Sequence, residues 1–280
     1  MTTDLFNTDL SQLPTDQLLA HAEQCACSVD DHCDLYWALI GALHLRSDPQ
    51  IFDTAVEWCQ SPEAYLRSLG AQVLGQLGCV NCNPLYPFGA ASLPILSGLL
   101  DNSEVDVLSS SIIALGHHAS HGFLWESSDL AILATHDSVD VRHAVAFALG
   151  GDPCDRSDTA VEIMCRLVQD SDHDVRNWAA FGLGRNSDAD SPRIRAVLFQ
   201  CLSDPDDEIR GEAAVGLAKR KDIRVIPVVL ADLSQPTVHD LAIEAAAEFP
   251  QPQYLVHLEQ LLAANPDDYV TIEAVTKCRL

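Results

Sequence analysis

One helical pattern recurs along this chain, and it restricts the fold more than any other feature. The stretches LRSLGAQVLGQLG from Leu66, VRHAVAFALGG from Val141, VRNWAAFGLGR from Val175 and IRGEAAVGLAK from Ile209 each open on an aliphatic residue followed by Arg. Small residues come four or five positions on, a small or apolar residue seven on, and Leu eight on, often with Gly after it. A degenerate copy starts at Val107 (VLSSSIIALG), and weaker ones start at Leu35, Val238 and Val270. The anchors at 66, 107, 141, 175, 209, 238 and 270 lie about 41, 34, 34, 34, 29 and 32 residues apart. A period of that size marks a stacked array whose units bury their apolar faces on one another.

Positions 0, +4, +7, +8 and +11 from each anchor share one side of a helix, which predicts a buried stripe. The Gly after Leu (Gly75, Gly116, Gly150, Gly184) reads as a left-handed C-cap that ends the helix. Upstream of the anchors lie further amphipathic segments, among them SLPILSGLLD, TAVEIMCRLVQD, SPRIRAVLFQCLSD, IPVVLADLSQ and PQYLVHLEQLLA. Ser191–Pro192 and Pro252 mark helix starts. Short acidic turns such as DSDHD and DPDDE join the paired helices. The predicted unit is an α-hairpin, and the predicted fold an all-α solenoid of about seven to eight hairpins.

Composition agrees with small-residue helix packing: 48% of residues are hydrophobic and only 6% aromatic. No apolar run approaches the roughly 18 residues of a membrane span, and the acidic N-terminus MTTDLFNTDLSQ is not a secretory or transit signal. These features predict a cytoplasmic protein. Sixteen Lys and Arg against 41 Asp and Glu give a net charge of −25. That field repels phosphate backbones, which argues against nucleic acid, and steers basic partners; solubility alone is the blander explanation of the same charge. The ten cysteines are too sparse for a disulfide framework, and Cys59, Cys165 and Cys201 sit in apolar helical patterns as small hydrophobes.

The Asp-rich turn, the aliphatic–Arg pairs (Val141–Arg142, Val175–Arg176, Ile209–Arg210) and the Ala…Leu-Gly tail resemble the HEAT-repeat family, in particular the HEAT-like units of phycobilisome lyases. The match is best over residues 101–219, with degenerate or capping repeats over 1–78 and 222–280, and a loop insertion over 78–92 within a single solenoid spanning 1–280. In that insertion Tyr86 and Phe88 flank Pro87 and are expected to pack on a neighbour. The resemblance implies a structural ladder of turn Asp and second-helix Arg, here Asp170, Asp204, Arg142, Arg176 and Arg210. At Leu108, His239 and Thr271 the ladder Arg is missing.

The resemblance also places the second helices along a concave side. Opposite the buried stripe lie positions +2, +6 and +9, with +3 at the border. Reading them through the middle repeats gives His143, Phe147, Asn177, Trp178, Phe181 and Glu212, followed by Asp240 and Glu244. This stripe is aromatic in its centre and acidic toward its C-terminal end, the make-up of a binding surface. The alternative is that Phe147, Trp178 and Phe181 are core packing between hairpins.

Cys79-x-x-Cys82 is a weak metal hint, because a structural zinc site needs four ligands. Cys25, Cys27 and Cys33 belong to a turn at the opposite edge of the layer, roughly 18 Å away by helix length. His117 and His121 share the edge of Cys79, so a mixed Cys2His2 site competes with ordinary loop residues and reduced thiols. No Gly-rich phosphate loop, GxSxG or HExxH is present, and no catalytic residue or cofactor is assigned. The expected function is a non-enzymatic scaffold binding a basic protein partner, as an inhibitor, adaptor or immunity-type protein. The alternative is a bilin lyase or isomerase, whose family resemblance carries no loud motif.

Overall fold

A computed structural model describes residues 9–27, 34–79, 87–120, 122, 130–151 and 158–280. Sixteen α-helices and no strand occur among the described residues, so the fold is the all-α solenoid that the periodicity predicts. None of these helices is long and apolar enough to cross a membrane.

The helices fall into eight hairpins. They are α1 (Thr15–Ala26) with α2 (Asp34–His44), α3 (Pro49–Cys59) with α4 (Ala64–Gln76), α5 (Gly89–Gly98) with α6 (Val105–Ser120), and α7 (Leu130–Leu133) with α8 (Val139–Gly150). Then follow α9 (Asp158–Leu167) with α10 (His173–Phe181), α11 (Pro192–Cys201) with α12 (Asp207–Lys219), α13 (Ile226–Leu233) with α14 (Asp240–Glu248), and α15 (Leu255–Ala264) with α16 (Tyr269–Cys278). The chain divides into two compact units, Met1–Ala148 and Leu149–Leu280.

Within each unit the second helices stack on one another, α4 on α6 in the first and α10, α12, α14 and α16 in succession in the second. The predicted stripe is their core: Leu74, Leu115, Leu149, Leu183 and Leu217 are all buried. Acidic turn residues start the helices. Asp172 accepts from the amides of Asp174 and Val175, Asp206 from those of Glu208 and Ile209, and Ser191 caps α11 ahead of Pro192. Each caps amides that no intrahelical carbonyl reaches. Cys59, Cys165 and Cys201 are buried, and desolvation pushes their thiols up, to about 12 at Cys59 and about 11 at Cys201.

The Arg after each anchor has a job that the sequence pattern left unstated. Arg67, Arg142, Arg176 and Arg210 each donate to two carbonyls of the turn just before their own helix: Ser61 and Pro62, His136 and Asp137, Asp170 and Ser171, Asp204 and Pro205. Arg176 also forms a ladder rung, its Nε 2.8 Å and its Nη2 3.2 Å from the carboxylate of Asp204 in the next turn. Where the Arg is missing, Leu108 and Thr271 are buried, and the His239 ring instead accepts from the Leu241 amide at 3.3 Å.

The periodic glycines do not act as left-handed caps. Positive φ among the described residues occurs at Gly78, Gly122 and Lys221, whereas Gly75 and Gly116 lie inside helices. Their role is close approach. A Cβ at Gly116 would sit 2.7 Å from Ala148 Cα, one at Gly150 2.7 Å from the Trp178 carbonyl, and one at Gly184 2.6 Å from the Glu212 carbonyl. At Gly75 it would come 3.1 Å from Ala114 Cβ. The separations at Gly116, Gly150 and Gly184 are closer than a Cβ reaches and that at Gly75 is tight, so the glycines notch one second helix against the next. In the 78–92 insertion, Phe88 stacks on Phe52 with ring centroids 4.9 Å apart, and α5 already begins at Gly89; Tyr86 lies outside the described residues.

Candidate functional site

In the second unit the predicted face is built from α10, α12, α14 and the π-helical turn Gly182–Asn186 that follows α10. Trp178 and Phe181 are one turn apart on α10 and meet edge to face, centroids 5.8 Å apart at 89°. Both are half-buried, as is Asn177, whose Oδ1 is enclosed and has no hydrogen-bond donor. The aromatics are thus neither an open stripe nor closed core.

The acidic end is organised by one guanidinium. Arg185, carried on the π-turn, makes a bidentate pair with Glu244 (Nε 2.9 Å, Nη2 2.8 Å) and lies 3.6 Å from Glu212. Glu212 is only 5% exposed, and its Oε2 has no hydrogen-bond partner. Burial pushes its carboxyl up to about 7, with Glu244 and Glu208 adding to the rise and Arg185 opposing it. Arg185, shared with Glu244, only partly compensates this desolvation, so Glu212 holds a proton up to about pH 7. Asp240 lies exposed in the first turn of α14.

Two expectations about the face are corrected. Position +9 is not open: Gly150, Gly184 and Ala218 are buried, because the neighbouring second helix packs there. Ala144 at +3 and Val215 at +6 are also fully buried. His143 and Phe147 belong to the first unit and are half-buried, and Phe147 packs edge-on against His117 at 5.3 Å.

Only two of the four metal candidates, Cys79 and His117, fall among the described residues. Cys82 and His121 lie outside the described residues; Cys79 is half-buried, and the Gln76 amide donates to His117 Nε2 at 2.9 Å. Among the described residues the one cluster with ligand-like spacing is Asp172, His173 and Asp174, which is a helix start in which Asp172 caps its own turn.

The sequence reading missed Arg220. It is 7% exposed and donates to the carbonyls of Leu183, Gly184, Ser187, Ala189 and Gly216. The widened π-turn leaves its carbonyls without helical partners, and this buried guanidinium supplies the donors.

Paired antiparallel helices stacked by their second members, with turn-capping arginines, define an α-helical repeat protein. The chain belongs to the HEAT-repeat family: the family profile, described as HEAT repeats, matches residues 129–194, 167–235 and 195–277. The crystal structure of YibA from E. coli is similar over 99% of this chain and 96% of that one, with 28% identity and a TM-score of 0.73. Two engineered proteins share the fold. One has 17% identity and a TM-score of 0.61 over 96% of this chain and 81% of its own. The other has 19% and 0.52 over 82% and 94%. No curated protein matches the sequence significantly.

Proposed function

We propose that the protein is a non-enzymatic interaction scaffold whose second unit binds a basic protein partner. Stacked helical repeats generate extended surfaces that serve recognition, and family membership supports that class of role. The observation that carries the partner's chemistry is the acidic end of the face, where partly exposed Glu244 shares Arg185 with buried Glu212 and Asp240 lies open to solvent. The Trp178–Phe181 pair supplies the aromatic anchor, Asn177 an enclosed acceptor, and Asp240 rim charge. An inhibitor, an adaptor and an immunity-type protein would each use such a face on a basic target.

Co-purification of the native protein with its partner provides the reagent for the test. Trp178→Ala with Phe181→Ala is expected to weaken the complex at least tenfold while helical circular dichroism is retained. Unfolding of that variant would assign the pair to the core and remove the reading. Affinity should also fall as ionic strength rises, since salt screens steering by the acidic face; a salt-independent affinity counts against a basic partner.

A further inference from the structure

The first unit contains a cleft that none of the preceding residues lines. Its volume is about 380 Å³, which lies in the range of small-ligand sites. It is assembled from α2, α4, α6 and the start of α8, elements far apart in sequence.

The buried side of the cleft is a pre-set polar network. Tyr36 donates its hydroxyl to Gln72 Oε1, and the Gln72 amide donates to Ser110 at 3.1 Å and Ser68 at 3.3 Å. The two serine hydroxyls are 2.8 Å apart. Trp37 stands beside this network, edge-on to Tyr36 at 5.2 Å, yet it is 51% exposed. A large aromatic packed edge-on against its neighbour and left half open offers a flat face to a ligand. Trp37, Gln72, Ser110 and Ile113 also line a second, adjoining cavity of about 110 Å³. Ser109 lines the larger cleft with an enclosed hydroxyl that has no hydrogen-bond partner. Toward solvent the lining ends in two exposed carboxylates, Asp106 and Asp140.

The electrostatics of the unit are one-sided. Residues 1–148 hold three basic side chains, Arg46, Arg67 and Arg142, against 18 Asp and Glu. Arg46 donates to the carbonyls of Leu10, Ser11 and Leu13, and Arg67 and Arg142 are the turn caps described above. No Lys or Arg lines either cavity. In the second unit Arg185 occupies the acidic face; in the first, Asp106 and Asp140 meet no cation among the described residues.

We infer that this cleft is a binding site for the guanidinium of an arginine side chain presented by a protein partner. A guanidinium is planar and weakly hydrated: its face stacks on an indole while its edges donate hydrogen bonds in the plane. Trp37 provides the face, Asp106 and Asp140 the charge-assisted acceptors, and Ser109 an enclosed oxygen that needs a donor. An ammonium would match the charge but not the flat stacking, and a neutral planar group such as a ureido would match the stacking but not the charge.

The inference is independent of the face on the second unit, and the test keeps them apart. The full chain is titrated with acetyl-Gly-Arg-Gly-amide, and the indole N–H resonance of Trp37, assigned by loss in Trp37→Phe, is followed by NMR. A saturable shift is expected with the arginine peptide, one at least fivefold weaker with its lysine counterpart, and none with the citrulline counterpart. Asp106→Asn with Asp140→Asn should weaken binding at least tenfold, and Glu212→Gln should leave it unchanged. Equal shifts with citrulline or lysine, an unaltered affinity in the Asn pair, or loss of the Trp37 response in Glu212→Gln would each overturn the assignment. The peptide comparison uses the unaltered chain, so it decides even if a variant fails to fold.

Discussion

The two units use one repeat but treat charge oppositely. Among α2, α4 and α6 of the first unit, a network of polar contacts is neutral: Ser68, Gln72, Ser110 and Tyr36 bond to one another. Among α10, the π-turn, α12 and α14 of the second, the work falls to guanidinium groups: Arg176 on Asp204, Arg185 on Glu212 and Glu244, Arg220 on five carbonyls. A buried cation fixes geometry at a high desolvation cost and leaves a large penalty when a partner is lost; a hydroxyl–amide network costs less on both counts. The first unit therefore keeps its acidic surface uncompensated, while the second spends much of its positive charge internally.

The sharpest way to break this comparison is to remove the most buried cation among the described residues. Arg220→Met should destabilise the second unit by about 3–5 kcal/mol, because five carbonyls lose their donor in a water-poor site. Gln72→Met in the first unit should cost about 1–2 kcal/mol. Urea unfolding of the two variants measures the difference, and equal losses would show that the units are not held in different ways.

The next effect concerns pH. The folded-state carboxyl of Glu212 sits at about 7, above its ordinary 4.5. The folded chain therefore keeps a proton that the unfolded chain gives up, and stability falls as pH rises between those two values. The penalty is on the order of 3 kcal/mol above pH 7 and absent below pH 4.5. Glu212→Gln should flatten that slope in urea titrations run from pH 5 to pH 8; an unchanged slope would show that Arg185 already compensates the charge. Asp222 in the same unit shows the opposite sign. Bonded to Arg224 at 2.7 and 2.9 Å, it is held down at about 2, so its stabilisation is complete above pH 4 and is lost only as pH falls through about 2.

The smallest effect tests what the two units share. Gly184→Ala drives a methyl into the Glu212 carbonyl, and Gly116→Ala drives one into Ala148; each should cost about 1–3 kcal/mol. At Gly41, inside α2, a Cβ meets nothing within 4 Å, and Gly41→Ala should add up to about 1 kcal/mol through helix propensity. Thermal denaturation of the three variants separates the two situations: all three glycines have ordinary negative φ, so the sign of each change reports whether a Cβ meets a neighbouring helix or open space.

Much of the fold was legible because its determinants are local. An apolar stripe of period 3.6, an Asp before a helix and a Pro in its first turn act within a few residues of themselves, so Leu74, Leu149, Leu183 and Leu217 could be assigned to the core from their spacing. The site was only partly legible. Positions +2 and +3 pointed to Asn177, Trp178 and Glu212, but their enclosure depends on which helix lies alongside. Nothing within the run Lys219–Arg220–Lys221 distinguishes the buried middle residue from its exposed neighbour Lys221.

The amino-acid sequence by itself determined the repeat, the helix ends and the acidic balance, since each is a property of near neighbours or of a sum over residues. The tertiary structure alone decided that Gly184 is a notch and not a cap, that Arg220 is a buried donor to a π-turn, that Glu212 retains its proton to about 7, and that Trp37, Ser109, Asp106 and Asp140 line one cleft. Those outcomes depend on distances between side chains from successive repeats, which hairpin packing sets and no linear spacing encodes.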